Sequence, residues 1–148
     1  MISSGVRTRL NSFAIRFFAQ QTRGVNLPLA LLFYEDLMPG TQLVNRLQDL
    51  KYRVQVVSTA EELLATAASA GPMLILCDLA AKRTDVNAVI QQLRAAPATA
   101  HLPIIAFADE IEVELTAAGK AAGATLVVTD AAIVSHLNLL VERALQVE

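Results

Sequence analysis

From residue 28 onward, short apolar runs alternate with longer segments whose apolar residues recur at helical spacing. The run at 73–77 is apolar throughout, which is typical of a strand buried on both faces of a parallel sheet. Between the runs, apolar residues recur three and four positions apart, the spacing of one helix face. The pattern predicts five strands, each followed by a helix, at 29–34, 52–57, 73–77, 102–107 and 125–128.

Polar residues and glycines indicate where the predicted helices begin and end. Thr59 starts a capping-box motif, and Asp85 is predicted to start the helix after the third strand. The fourth helix is predicted to begin with the acids of 109–114, which the helix dipole favours, and to end at Gly123. Asp130 is predicted to cap a single last helix.

Strands that alternate with helices favour a doubly wound α/β fold, in which helices cover both faces of one parallel sheet. For five strands and this length we expect the order 2-1-3-4-5 of flavodoxin-like folds. The chain has 148 residues, of which 54% are hydrophobic and 18% charged, and this fits one compact domain. We predict that the domain spans 28–148 and follows an N-terminal extension at 1–27.

Charge and cysteine content limit the classes of function. The net charge of −2 combines four arginines among the first 24 residues with an excess of acids elsewhere. That excess argues against nucleic-acid binding by the main domain. The single cysteine, Cys77, excludes an internal disulfide, so we expect a buried thiol and a cytoplasmic protein. No apolar run approaches the roughly 18 residues that a membrane span requires.

The sequence has no recognisable motif of a metabolic enzyme. No glycine-rich phosphate loop follows any predicted strand, and no Ser-His-Asp or metal-histidine spacing occurs. His101 and His136 are isolated, and we interpret them as surface or packing residues.

Three acids follow predicted strands that are neighbours in the expected sheet. Asp78 ends the third strand, and Glu35 and Asp36 follow the first. Ligands of open α/β sheets bind outside these strand ends. Three converging carboxylates favour a hard cation such as Mg²⁺, beside which Asp78 could attack a phosphoryl group. The alternative interpretation is that each acid only caps a turn.

The pattern resembles response-regulator receiver domains over about 28–147. The matching landmarks are Glu35 and Asp36, Asp78, the run LPIIAF at 102–107 and the turn AGAT at 122–125. The resemblance implies a receiver fold and an acidic pair that holds Mg²⁺. It also implies that Asp78 is the aspartate phosphorylated from the phosphohistidine of a partner kinase. We therefore expect no enzyme activity beyond self-phosphorylation or dephosphorylation at Asp78.

Three positions depart from the receiver pattern. Receivers usually carry Thr or Ser after the fourth strand, where this chain has Ala108, and lysine after the fifth, where it has Asp130. The aromatic residue common within the fifth strand is replaced by Val127. The resemblance therefore implies a degenerate receiver, a pseudo-receiver, whose phosphorylation switch is weakened or lost. Thr129 could offer a hydroxyl, but not at the family's position.

Two functions are compatible with these residues. The first is a stand-alone signalling module that binds a histidine kinase, a downstream effector or a second copy of itself. The last helix carries more aliphatic residues than one buried stripe needs, so some either face a partner or pack as a second face. The second function is a working receiver, phosphorylated on Asp78 with Mg²⁺ bound by Glu35, Asp36 and Asp78.

Residues 8–20 do not belong to the alternating pattern. Their apolar residues fall on one helical face, arginines lie among them, and acids are absent. The stripe consists of Leu10, Phe13, Ala14, Phe17 and Phe18. The segment fits a helix that docks on this domain or on a second copy, an interfacial membrane helix, or a targeting peptide. Translation that begins near Val25 is a further alternative; we favour the docked or dimerising helix.

Overall fold

The structure is a computed structural model that describes residues 27–35 and 37–146, with backbone only for 37–39. The predictions for the N-terminal extension and for Asp36 therefore lie outside the described residues. Among the residues that are described, no helix combines the length and hydropathy that crossing a membrane requires.

Five parallel strands form one sheet in the order β2-β1-β3-β4-β5, which confirms the predicted fold and topology. Each strand lies within two residues of its predicted bounds. The three central strands are buried at every position, because helices cover both of their faces. The strands are β1 (Leu29–Phe33), β2 (Arg53–Val57), β3 (Leu74–Asp78), β4 (Ile104–Ala108) and β5 (Leu126–Thr129).

In the part of the chain that the structure describes, six helices connect and cover the strands. Two buried clusters, one on each side of the sheet, consist of alternate strand residues packed against the apolar faces of the helices. Helices α1, α5 and α6 contribute to one cluster, and α2, α3 and α4 to the other. The helices are α1 (Leu37–Asp49), α2 (Ala60–Ser69), α3 (Val86–Ala95), α4 (Val113–Ala122), α5 (Asp130–Ser135) and α6 (Leu137–Gln146).

Several predicted helix ends are confirmed by hydrogen bonds. The Thr59 hydroxyl accepts the N–H of Glu62 at 3.1 Å, and the Asp85 carboxylate accepts that of Ala88 at 3.2 Å. Gly123 ends α4 with a φ of 117°, a conformation that residues with a Cβ rarely adopt. Local capping chemistry thus fixes the ends of α2, α3 and α4.

Two predictions for helix starts were wrong. Thr129, not Asp130, caps the helix after β5, since its hydroxyl accepts the N–H of Ala132 at 3.1 Å and Asp130 is already helical. Helix α4 begins at Val113, because the Asp109 carboxylate accepts the N–H of Ile111 at 3.0 Å and keeps 109–112 in a turn.

The predicted single last helix is divided in two. His136 interrupts it with a φ of −125°, and α6 starts at the next residue. Most aliphatic residues of α5 and α6 are buried or packed against the core, and Leu139 is 55% exposed. The aliphatic surplus of this segment therefore serves mainly the core, as the packing interpretation expected.

Candidate functional site

Asp78 is the last residue of β3 and lies at the carboxyl edge of the sheet. It is paired in register with Phe107 of β4 and is 9% exposed. Its carboxylate accepts the N–H of Ala80 at 2.9 Å, which turns the chain out of the strand. The apolar run thus ends on a charge that both shapes a turn and lies where doubly wound sheets bind ligands.

Glu35, two residues beyond β1, is bound to the loop that follows Asp78. Its Oε1 accepts the N–H groups of Lys82 at 2.8 Å and Arg83 at 3.0 Å, and its Oε2 lies 3.1 Å from the latter. The guanidinium Nε of Arg83 is 3.7 Å from Oε1, although that side chain is 80% exposed. Burial opposes ionisation of Glu35, but these hydrogen bonds and the arginine charge outweigh it and lower its pKa.

The described residues do not by themselves form a metal centre. In 27–35 and 37–146, no three His, Cys, Asp or Glu side chains are grouped to hold an ion. Glu35 already accepts backbone N–H groups through both carboxylate oxygens. A magnesium site here would need Asp36 as a further ligand, and would have to share Glu35 with the loop after β3.

Two of the positions that depart from the receiver pattern, Ala108 on β4 and Val127 on β5, lie beside this edge. Ala108 is 1% exposed and is paired in register with Thr129, so a hydroxyl is present on the neighbouring strand. That hydroxyl caps α5 through the N–H of Ala132. Val127 is half-buried and packs against the core that α2, α3 and α4 cover. Neither Ala108 nor Val127 offers a group that could bond a phosphoryl oxygen.

Asp130 places a further carboxylate at the carboxyl ends of β4 and β5. Its Oδ1 is buried and has no hydrogen-bond partner among the described residues. Burial raises the pKa of Asp130, and the nearby Asp109 carboxylate raises it further. This edge therefore presents paired negative charge where the receiver pattern has a lysine.

The structure brings together the acids that the sequence singled out with groups that it did not. Glu35 contacts the loop after Asp78, as expected of neighbouring strands, but through the backbone of Lys82 and Arg83. Asp109 was not predicted to matter. Its position directly after the fourth apolar run was the available signal, since that position places it at the same edge as Asp130.

Comparison with known proteins identifies the fold. The receiver domain of the sensor histidine kinase PA1611 from Pseudomonas aeruginosa, solved with a magnesium ion in its active-site cleft, superimposes with a TM-score of 0.74 at 20% identity. That match covers 82% of this chain and 99% of the other.

Two further solved structures give similar values. The receiver domain of NtrX from Brucella abortus has a TM-score of 0.70 at 20% identity, and CheY4 of Vibrio cholerae has 0.67 at 22%. Each match covers 80% of this chain and 99% of the other. No protein-family model and no curated protein sequence matches the chain. These structural neighbours are response-regulator receiver domains, and the chain has their fold.

Proposed function

We propose that this chain is a receiver-type signalling module that acts through protein–protein contacts and whose phosphorylation switch is weakened. The observation that carries the proposal is the environment of Asp130. Its partly buried carboxylate is repelled by Asp109, at the edge of the sheet that also carries Asp78. The receiver fold of the chain supports the signalling role.

In the receiver pattern the side chain at position 130 contacts the phosphoryl group, so its charge bears on the stability of that group. A phosphorylated Asp78 would carry close to two negative charges at neutral pH. Replacing the family's ammonium by the carboxylate of Asp130 turns attraction into repulsion. Each such interaction is on the order of a few kcal/mol at ~4 Å and an effective dielectric constant of ~20, before solvent screening. Phosphorylation is therefore disfavoured relative to an ordinary receiver.

The readout of phosphorylation is weakened as well. A ligand shifts a two-state equilibrium only through contacts that differ between the two states. Ala108 has no hydroxyl, and the hydroxyl of Thr129 is already the cap of α5. Even a phosphorylated Asp78 would lack the usual partner that moves, so we infer that the module signals in one main conformation.

A working receiver is the second candidate, because Asp78 is nine-tenths buried at the carboxyl edge of the sheet, where doubly wound folds bind ligands. In that case a carboxylate oxygen of Asp78 attacks the phosphorus of a phosphodonor. The bond to the donor breaks, its leaving group departs with the electron pair, and an acyl phosphate forms. Mg²⁺, held by Glu35, Asp36 and Asp78, would neutralise charge on the phosphoryl oxygens.

The partner we propose is another signalling protein in the cytoplasm. PA1611 is a sensor histidine kinase that contains its own receiver domain, and a neighbour from Pseudomonas fluorescens belongs to an HD-domain protein. A histidine kinase, a downstream effector or a second copy of this chain would fit such a role.

Intact mass after incubation with Mg²⁺ and a small phosphodonor distinguishes the two candidates. The full chain, its Asp78→Asn variant and an ordinary receiver are treated in parallel. We expect little or no added phosphoryl mass on this chain, and a gain on the Asp130→Lys variant that Asp78→Asn abolishes. Stoichiometric labelling of the unmodified chain at the rate of the ordinary receiver would reject the weakened switch and favour the working receiver.

A further inference from the structure

The most exposed large apolar side chains of the described residues lie in one short acidic segment. Ile111 is 79% exposed and Val113 is 69% exposed, at the turn before α4 and at its first residue. Four acids and no basic residue alternate with them. We call this segment the acidic–apolar patch, defined by Asp109, Glu110, Ile111, Glu112, Val113 and Glu114.

A groove of about 380 Å³ continues the patch along α4 and β5. Val113, Ala117 and Val127 supply much of its apolar lining. Exposed apolar side chains beside an apolar groove carry a hydration cost that grows with the apolar area in contact with water. The patch is therefore a surface that gains free energy from being covered.

The chain carries a segment whose chemistry complements this surface. Residues 7–18 contain three arginines, Arg7, Arg9 and Arg16, and no acid, against four acids and no base in the acidic–apolar patch. Five apolar residues recur in the segment at the spacing of one helix face. We propose that residues 7–18 dock on the acidic–apolar patch of the same molecule, with their apolar stripe on Ile111, Val113 and the groove.

The connection to β1 is long enough for this contact. The described chain starts at Leu27, whose carbonyl accepts the Arg53 Nε–H at 3.0 Å at the amino edge of the sheet. Measured from the start of β1, the carboxyl end of β4 lies two strands away across the sheet and one strand length away along it. The distance is therefore roughly 20 Å. Residues 19–26 span up to ~26–29 Å when extended, so the segment reaches the patch without disturbing the sheet.

Docking in this place has a consequence for binding. The segment covers the surface around α4 and β5, and any partner that uses that surface must displace it. The contact combines opposite charges at the protein surface, so it weakens as salt is raised, since the screening length falls to about 3 Å at 1 M. The inference does not depend on whether Asp78 accepts a phosphoryl group.

The test uses a nitroxide attached to the segment in the full chain. Cys77 is the one native cysteine, and burial raises the pKa of its thiol to about 12, so reagents modify a thiol introduced by Ser12→Cys first. We expect paramagnetic loss of amide signal for 109–117 and 127–129, and little loss around Leu139 on the opposite face. The loss should diminish at 1 M salt.

Charge variants make the test specific. Glu110→Lys with Glu114→Lys should abolish the loss, whereas Glu142→Lys, an exposed acid on α6, should leave it unchanged. Adding Arg9→Glu and Arg16→Glu to the first pair should restore the loss. Restoration also shows that the charge variants remain folded.

Several results would overturn the inference. Loss centred on Leu139, or no loss near the patch, would place the segment elsewhere. Loss that persists when nitroxide-labelled chains without isotope are mixed with isotope-labelled, nitroxide-free chains would assign the contact to a second copy. Loss that is absent in buffer, with the segment bound only to vesicles containing phosphatidylserine, would assign it to a membrane surface.

Discussion

The carboxylate of Glu35 accepts the backbone N–H of Lys82 at 2.8 Å, although 47 residues separate the two in the chain. The contact joins the loop after β1 to the loop that follows Asp78, the last residue of β3. The side chain of Glu35 is 6% exposed and is bonded to the backbone of the second loop. This acid therefore joins the two loops of the candidate site without an ion or a phosphoryl group.

Replacing Glu35 by Ala should loosen the loop after β3. The N–H groups of Lys82 and Arg83 lose their acceptor, and we expect a cost of about 1–2 kcal/mol and faster hydrogen exchange at both amides. The effects of Glu35→Gln should lie between those of the unmodified chain and of Glu35→Ala, because one carbonyl acceptor remains. Glu61→Gln, an exposed acid on α2, is the control, and equal exchange in all variants would contradict the role of Glu35.

The same contact gives a dependence on pH with a defined sign. The folded state lowers the pKa of Glu35 below its ordinary 4.5. Its stabilising contribution is therefore fully present above pH 4.5 and is lost as pH falls through the lowered pKa. Acid titration followed by circular dichroism should show a smaller loss of stability below pH 4.5 in Glu35→Gln than in the unmodified chain.

The fold was predictable because it depends on patterns that are local in sequence. Apolar runs such as 73–77 predict buried strands, and capping residues such as Thr59 and Asp85 specify helix starts one turn away. The order of the strands was expected from their number and from the length of the chain, which suit the doubly wound order 2-1-3-4-5. These features need no knowledge of how distant side chains meet.

The details of the site were less predictable because they depend on contacts between distant segments. Glu35 was expected to bind a metal ion, and the sequence offers no sign that backbone N–H groups of the loop after β3 occupy it. Asp130 was expected to cap the last helix because Asp is a strong capping residue, yet Thr129, one residue earlier, is a capping residue too and takes that place. Neighbouring capping residues leave a one-residue ambiguity that only packing resolves.

Asp130→Asn should stabilise the protein at neutral pH. The folded state raises the pKa of Asp130 above its ordinary 3.8, so the folded protein binds this proton more tightly than the unfolded chain does. Stability then falls as pH rises through the window above 3.8, and the penalty persists at pH 7. The gain should be below about 1 kcal/mol after solvent screening, or roughly 1–4 °C in Tm.

Thermal unfolding of Asp130→Asn at pH 3 and pH 7 checks this sign. The difference in Tm from the unmodified chain should be largest at pH 7 and should shrink at pH 3, where the carboxyl is protonated in both states. Asp49→Asn, an exposed acid on α1, should shift Tm little at either pH. A decrease in Tm of Asp130→Asn at pH 7 would mean that the Asp130 carboxylate is favourably paired.

Arg94 should be the most sensitive basic residue for stability. Its guanidinium donates to the carbonyls of Gly123 at 2.7 Å, Ala100 at 2.8 Å and Leu102 at 2.7 Å, and to the Thr125 hydroxyl at 3.1 Å. It thus joins the turns that precede β4 and β5. Nothing in the sequence distinguishes it from an exposed arginine in the last turn of a helix.

Arg94→Lys should cost about 2–3 kcal/mol, because an ammonium cannot match the forked geometry and leaves partly buried carbonyls without donors. Arg143→Lys on α6, an exposed position, should change the free energy of unfolding by less than about 0.5 kcal/mol. Urea denaturation of both variants measures the difference. Equal midpoints would show that water replaces the arginine at no cost.

Two glycines with positive φ allow the cost of backbone strain to be measured separately from the cost of steric conflict. Gly71 has a φ of 64°, and a Cβ there would meet no heavy atom within 4 Å, so Gly71→Ala should cost about 1–2 kcal/mol from backbone strain alone. Gly123 has a φ of 117°, and a Cβ there would lie 2.8 Å from Cγ of Arg94. Gly123→Ala should therefore cost more, roughly 2–4 kcal/mol, because it also displaces the arginine from its four acceptors.

Urea denaturation of both alanine variants, alone and combined with Arg94→Ala, tests this explanation. In the Arg94→Ala background the steric part of the Gly123→Ala cost should disappear, and the two glycine positions should become similar. The Gly71→Ala cost should be the same in both backgrounds, since a Cβ at that position meets no heavy atom within 4 Å, the arginine included. If Gly123→Ala remains as costly without Arg94, backbone strain alone determines the end of α4, and the contact with the arginine is incidental.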